Sequence, residues 1–362
     1  MKLTNILSSG NRVAMLLIFS LAAIVVSCKK DTDGSPDYSA GTPTFSAITP
    51  GEGAGGTVVT ITGSGLGRMS TIVFDNANVP ATFQPNLNTE SSIVFRVPDT
   101  AYGGQQNIVL TNVDGKMLTV PFKVIALPKV TDVSNYNFNT GSQITLIGNN
   151  LGDVSSVVLT GTTTAATIIS KSRKEMVIEM PATTLSKTTL DLTNTSGKVT
   201  TSQEFISLAN NFIIYSDGYG PGAYNSGVQS WSWATTVSEV NDIVKTGTKA
   251  LKADYQNGGL SLFLGSNWAT PALNFTDFHN PKPSALAFYA RNPGTTPITI
   301  VIQPDGGAGS FTATGQATVS VPANNQWTYF RIPYFLTGNF SRLNLRVQTT
   351  ATIYFDDILW IK

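Results

Sequence analysis

The sequence predicts an all-β protein: two small β-sandwiches in tandem, followed by a β-jelly-roll sandwich. Three observations carry this. Of 362 residues, 12% are charged and 47 are threonine, with 32 glycines and 18 prolines. Such a chain is short of the Lys, Glu and Arg that favour helix, and rich in β-branched side chains and turn formers. A unit of roughly 80 residues occurs twice before residue 210, the mark of a repeat architecture. Beyond 210 the texture changes to short alternating apolar segments between turn signals, and Trp231, Trp233, Trp268, Trp327 and Trp360, all five tryptophans, fall there.

Composition also excludes function classes. Lys and Arg number 23 against 22 Asp and Glu, giving a net charge of +1, so nothing favours nucleic acid, whose binding rests on phosphate neutralisation. A single Cys and a single His leave no disulfide framework and no zinc site.

The N-terminus reads as a targeting segment. Lys2 and Arg12 form a basic region, and Val13 to Val26 is a 14-residue run, apolar except for Ser20. That is shorter than the roughly 20 residues a membrane-spanning helix needs. The run ends in Val25-Val26-Ser27-Cys28, which resembles a bacterial lipobox. The resemblance implies that residues 1–27 are a signal peptide and that Cys28 is lipidated, so that the membrane is reached through the lipid anchor only. Lys29-Lys30-Asp31-Thr32-Asp33 resembles the signal that sends Bacteroidetes lipoproteins to the outer membrane, facing the cell exterior. The stretch 28–42 is a flexible tether, rich in Gly, Ser and Pro.

The repeats occupy 43–126 and 128–208. Gly63-Ser64-Gly65-Leu66-Gly67 returns as Gly148-Asn149-Asn150-Leu151-Gly152, and Thr111-Asn112 with Gly115 returns as Thr193-Asn194 with Gly197. Thr57 to Thr62 alternates with period two, and Gln143 to Ile147 repeats it, the pattern of a half-buried strand. Gly63 and Gly67 are expected to supply positive φ between strands. The "ITP" start and the "VTITGSGLG" segment resemble the IPT/TIG family of immunoglobulin-like domains, more closely in the first copy than in the second. That resemblance implies spacer or adhesion units without catalytic residues.

From 210 to 362 about ten short strands suggest a jelly roll. Its landmarks, "IIYSDG", "WSW", "VKTGTKALKADY", "ALAFYARN", "WTYFRIPY" and "IYFDDILW", resemble carbohydrate-binding jelly rolls. Catalytic chemistry is sparse. The sole His, His279, stands in a Pro-flanked loop, and Asp356-Asp357 are neighbours whose side chains a regular strand would send to opposite faces. No catalytic residue is expected. Related jelly rolls hold a structural calcium between opening and closing strands, which the resemblance places at Asp217 and Asp356, an oxygen-donor set that calcium accepts.

Strand alternation sets a core face against a polar face. Tyr289 and Arg291 share one face of their strand, Gln303 lies opposite Ile300 and Ile302, and Asn344, Arg346 and Gln348 oppose Leu345 and Val347. These are side chains for stacking and for planar, bidentate hydrogen bonds to sugar hydroxyls. Trp268, Trp231, Trp233, Tyr219 and Tyr224 are the candidate aromatic platforms, Trp268 foremost for its polar, Pro-bounded loop. Together these features resemble Bacteroidetes surface glycan-binding proteins. The resemblance implies a polysaccharide ligand and, as partners, components of an outer-membrane glycan importer. A structural or adhesion protein is the alternative, and a glycan-cleaving enzyme a more distant one.

Overall fold

The computed structural model describes residues 40–220, 229–230, 232–263, 283–305, 314–336 and 342–362. Among them the regular elements are strands and three short 3-10 turns. The chain divides into two compact units, one built on the first sandwich, the other holding the second sandwich and the third domain.

In the first sandwich Thr44–Thr49, Val58–Ser64 and Ser92–Arg96 form one sheet. Glu52–Ala54, Met117–Ile125, Gly104–Asn112, Met69–Phe74 and Val79–Pro80 form the other, in that order. Alternation writes the core. Val59 and Ile61, Ile72 and Phe74, Ile108 and Leu110, and Val120 and Phe122 are all buried, and Phe74 meets Phe95 and Phe122 edge-on. In the second sandwich Gly197–Thr200, Leu190–Asn194, Ser156–Leu159, Ala165–Lys171, Glu175–Glu179, Gln143–Asn149 and Lys129–Val133 make a seven-stranded sheet. A small sheet of Asn137–Phe138, Phe205–Ser207 and Lys187–Thr188 accompanies it.

The shared glycines act differently from the sequence expectation. Neither Gly63 nor Gly67 takes positive φ. A Cβ on Gly63 would stand 1.9 Å from the Thr44 carbonyl oxygen, and one on Gly148 would stand 1.8 Å from that of Lys129. The first glycine of each repeat therefore admits the close approach of the opening strand. The left-handed position is two residues on, at Gly65 (φ 64°) and at Asn150 (φ 55°). Asn is among the few residues with a side chain that visit this region readily.

The third domain is a nine-stranded assembly. Two of its strands are long, Ala250–Phe263 and Arg342–Ile361. Each runs through a bulge, at Asn257 (φ 59°) and at Asp357 (φ 45°), where an extra residue resets the alternation without ending the strand. The first half of Ala250–Phe263 pairs with Trp233–Val240 and with Thr350 to Phe355. Its second half pairs with Arg342 to Val347, which pair in turn with Ile298–Asp305. The long strands thus carry the chain from one layer of the sandwich into the other. Between the layers lie Leu251, Tyr255, Leu260, Leu262, Phe288, Ile300, Ile302, Leu343, Leu345, Phe355 and Trp360.

The outer face of one layer is itself covered. Ala285, Ala287, Leu359 and Ile361 pack against Ile206 and Leu208 of the second sandwich. Around this apolar patch runs a polar network. The Tyr289 hydroxyl donates to Asn135 Oδ1 (2.6 Å) and accepts the Tyr136 N–H (2.8 Å). Tyr329 donates to Asn137 Oδ1 (3.2 Å), and Asn137 Nδ2 donates to Asp357 Oδ2 (3.1 Å). Tyr136 stacks on Tyr329 at 4.7 Å, and Arg331 pairs with Glu204. Tyr289, expected to face a sugar, is 2% exposed inside this junction; burial against the second sandwich removes it from any ligand.

Candidate functional site

The outer face of the opposite layer is built from cross-strand rows. Arg346 stands beside Gly259 on one neighbouring strand and Val301 on the other; Asn344 stands beside Ser261 and Gln303. Leu345 and Leu343, alternating with them, point to the core, so these residues point outward. Gln348 continues the line of Asn344 and Arg346 and is exposed. Trp233 pairs with Gly259 and is 43% exposed.

Gly259 makes this arrangement possible. A Cβ there would lie 2.9 Å from Trp233 Nε1, 3.2 Å from Trp233 Cε2 and 3.5 Å from Asn344 Oδ1. The indole therefore lies down over the glycine and next to Asn344. The Arg346 guanidinium is 5.7 Å from the Trp233 ring centre, within cation–π range. The result is an aromatic plate edged by a guanidinium and an amide.

Several polar atoms here are buried and lack a hydrogen-bond partner: Ser261 Oγ, Asn344 Oδ1 and Arg346 Nε. Ser261 and Asn344 are 0% and 3% exposed. Leaving such groups unpaired costs about 1–3 kcal/mol each; they are covered, so a ligand or water takes up this hydrogen-bonding capacity as the covering side chains move aside.

Of the sequence-derived candidates, the structure brings together Trp233, Gln303, Asn344, Arg346 and Gln348. Arg291 is not among them. It stands in the other layer, opposite Trp327 and Tyr354, with its Nε donating to Asn325 Oδ1 at 3.0 Å. Tyr219 is half-buried, meets Tyr215 edge-on at 5.3 Å and packs on the domain core. Trp231, Trp268, Tyr224, His279 and Cys28 lie outside the described residues. Sequence reasoning passed over Gly259 and Ser261. The signal was Gly258-Gly259 inside a strand pattern, since glycine within a strand marks a bulge or a close approach.

Asp217 and Asp356 do meet one region, the 245–249 turn, but as acceptors of amide hydrogens. Asp217 Oδ1 accepts the N–H groups of Thr248 and Lys249. Asp356 Oδ2 accepts those of Lys245 (2.9 Å) and Thr246 (3.1 Å), and its Oδ1 accepts that of Asp357 (2.9 Å). Among the described residues no group of three or more His, Cys, Asp or Glu side chains could hold a metal. Beside Asp356, the Oδ1 of Asp357 is buried without a hydrogen-bond partner. The bulge at Asp357 also defeats simple alternation, because both Asp356 and Asp357 are fully buried. Burial, and then the charge of Asp357, pushes the Asp356 carboxyl up to about 7. Burial likewise raises that of Asp357.

Comparison with known proteins agrees with this architecture. Residues 43–124 and 128–207 each match the IPT/TIG domain model, so the chain carries two such immunoglobulin-like domains in tandem. No curated protein matches it. Among solved structures it is similar to the surface glycan-binding protein PbSGBP-B from Prevotella bryantii. The identity is 15%, with 89% of this chain and 99% of that one covered and a TM-score of 0.51. SGBP-B from a complex xyloglucan utilization locus in Bacteroides uniformis is 17% identical, over 89% of this chain and 100% of that one, with a TM-score of 0.43.

Proposed function

We propose that this protein binds polysaccharide through the outer face of the jelly roll centred on Trp233, and that it is a binding protein without catalytic activity. The observation that carries the reading is the convergence of an exposed indole with the unpartnered polar atoms of Arg346, Asn344 and Ser261. A pyranose ring needs both, an apolar plate for its C–H face and fixed polar groups for its hydroxyls. The groups presented are an indole, a guanidinium, amides and a hydroxyl. The similarity in fold to a protein described as a surface glycan-binding protein supports the same reading.

The targeting segment adds the setting. With Cys28 lipidated and residues 28–42 as tether, the two IPT/TIG domains space the jelly roll from the outer membrane. Polysaccharide is then held near an uptake system, where tethering raises its effective concentration.

The test is affinity electrophoresis over a panel of plant, algal and host polysaccharides, with wild-type protein and Trp233→Ala. Wild type is retarded by at least one member and the variant much less. Stacking of this kind is worth on the order of 1 kcal/mol or more, roughly a fivefold loss. Because Trp233 is 43% exposed and lies on the outer face rather than in the core, the melting temperature of the variant falls far less than truncation of a core aromatic would lower it. Equal retardation of the two proteins would place the site elsewhere.

A further inference from the structure

The same face points to the kind of glycan it takes, and this step rests on the reading just given. Arg346 is a half-buried cation on an outward strand position. The ion pairs among the described residues join Lys198 to Asp191, Lys249 to Glu239, Lys252 to Asp254 and Arg331 to Glu204; Arg346 enters none of them. Its guanidinium leans on Trp233, and its Nε is buried without an acceptor. Across the strand the positions beside it are Gly259 and Val301, neither of which can supply a counter-charge.

A guanidinium so placed is unsatisfied twice over. It lacks an acceptor at Nε, and among the described residues it lacks an ion-pair partner in a partly desolvated setting, where an unpaired charge is costly. Its planar fork matches the two oxygens of a carboxylate, or those of a sulfate, better than it matches isolated hydroxyls. Next to it the orphan Asn344 Oδ1 calls for a hydroxyl donor, and Ser261 Oγ can give or take a hydrogen bond. One ligand meets all three demands: a sugar ring bearing an anionic group beside a free hydroxyl, laid on the indole.

We propose that the Trp233 face selects acidic polysaccharide, the anion being the carboxylate of a uronic acid or a sulfate ester, and that Arg346 is the residue that reads it. Gly259 is a positioning residue, because its missing side chain lets the indole lie alongside the guanidinium.

The experiment uses the full mature chain in calorimetry and affinity electrophoresis. The probes are galacturonan, alginate, glucuronoxylan and hyaluronan, each beside its carboxyl-reduced neutral counterpart, with a sulfated galactan beside its desulfated form. The expected result is tighter binding of at least one anionic polymer than of its neutral counterpart, by roughly tenfold. Raising the ionic strength narrows the gap. Arg346→Gln abolishes the preference while the melting temperature stays near wild type, and Arg346→Lys restores part of it. Asn344→Asp, which sets a negative charge on the face, weakens the anionic polymer more than the neutral one. A preference confined to the uronates assigns the carboxylate, and one confined to the sulfated galactan assigns the sulfate. If neutral polymers bind as tightly as anionic ones, and still depend on Trp233, the selection is wrong while glycan binding at this face stands. If no polymer binds, both fall.

Discussion

Replacing Tyr289 by Phe separates two roles that the sequence alone could not tell apart. The hydroxyl is buried in the junction with the second sandwich, donating to Asn135 Oδ1 at 2.6 Å and accepting the Tyr136 N–H at 2.8 Å. The substitution keeps the ring, its tilted contact with Tyr329 at 4.8 Å and the Lys245 ammonium 5.1 Å from its centre. What it removes is one donor and one acceptor, leaving an amide hydrogen and a side-chain carbonyl without partners. At about 1–3 kcal/mol for each group stranded, partly relieved by relaxation, the loss comes to about 2–4 kcal/mol. With urea slopes of about 1–3 kcal/mol per molar, the unfolding midpoint falls by roughly 1 M. Tryptophan fluorescence is a convenient probe, since all five indoles belong to the third domain and the signal therefore follows that domain. Glycan retardation in the folded variant stays as in wild type, because the residue sits on the covered side of the sandwich. A variant with unchanged midpoint and lost glycan binding would refute this assignment and return Tyr289 to the binding surface.

Two further outcomes follow from the geometry. Asp356, fully buried among Asp357, Lys245 and Tyr215, is held at about 7 against an unfolded value of 3.8. The folded state thus favours its neutral form, so stability is greatest below the unfolded value and declines as pH rises from about 4 to 7. The decline is at most about 4 kcal/mol. Denaturation midpoints across that window check it; Asp356→Asn flattens the slope, and a midpoint that rises with pH contradicts the burial argument. Gly148→Ala forces a Cβ to within 1.8 Å of the Lys129 carbonyl oxygen, so the second sandwich loses several kcal/mol or its opening strand detaches, on the scale of overpacking or worse. Circular dichroism melts of Gly148→Ala beside Gly141→Ala separate this steric effect from loss of backbone freedom. Gly141 has positive φ and nothing within 4 Å of its would-be Cβ.

The fold was legible because β-structure with one wet face writes itself in period two. The repeat offset that pairs Gly63 with Gly148 also pairs Gly65 with Asn150, and both of the latter adopt left-handed φ. The bulges were not legible. Asn257 and Asp357 stand inside long strands, and no local pattern marks the residue at which the alternation resets. That is why Asp356 and Asp357, expected on opposite faces, are buried together. The candidate site was half legible. Gln303, Asn344 and Arg346 follow from alternation in Ile300 to Gln303 and Leu343 to Val347, but the register that sets them side by side is a long-range property that no local pattern encodes.

The same rule that found Arg346 misplaced Tyr289, and the difference between them was present in the sequence in another form. Around Arg346 the strand alternates strictly, Leu-Asn-Leu-Arg-Val-Gln, as a strand with one solvated face does. Around Tyr289 it does not: Ala285 to Ala290 reads Ala-Leu-Ala-Phe-Tyr-Ala, and every one of the six is buried. A continuous run of this kind belongs to a strand covered on both sides, and small alanines on the outer side leave room for Ile206 and Leu208 of the neighbouring sandwich to approach. A two-layer sandwich has only two outer faces. Once one of them is committed to a neighbouring domain, an extended ligand is left with the other face and the loops at the edges, and among the described residues that other face is the one that carries the indole and the guanidinium without an ion-pair partner.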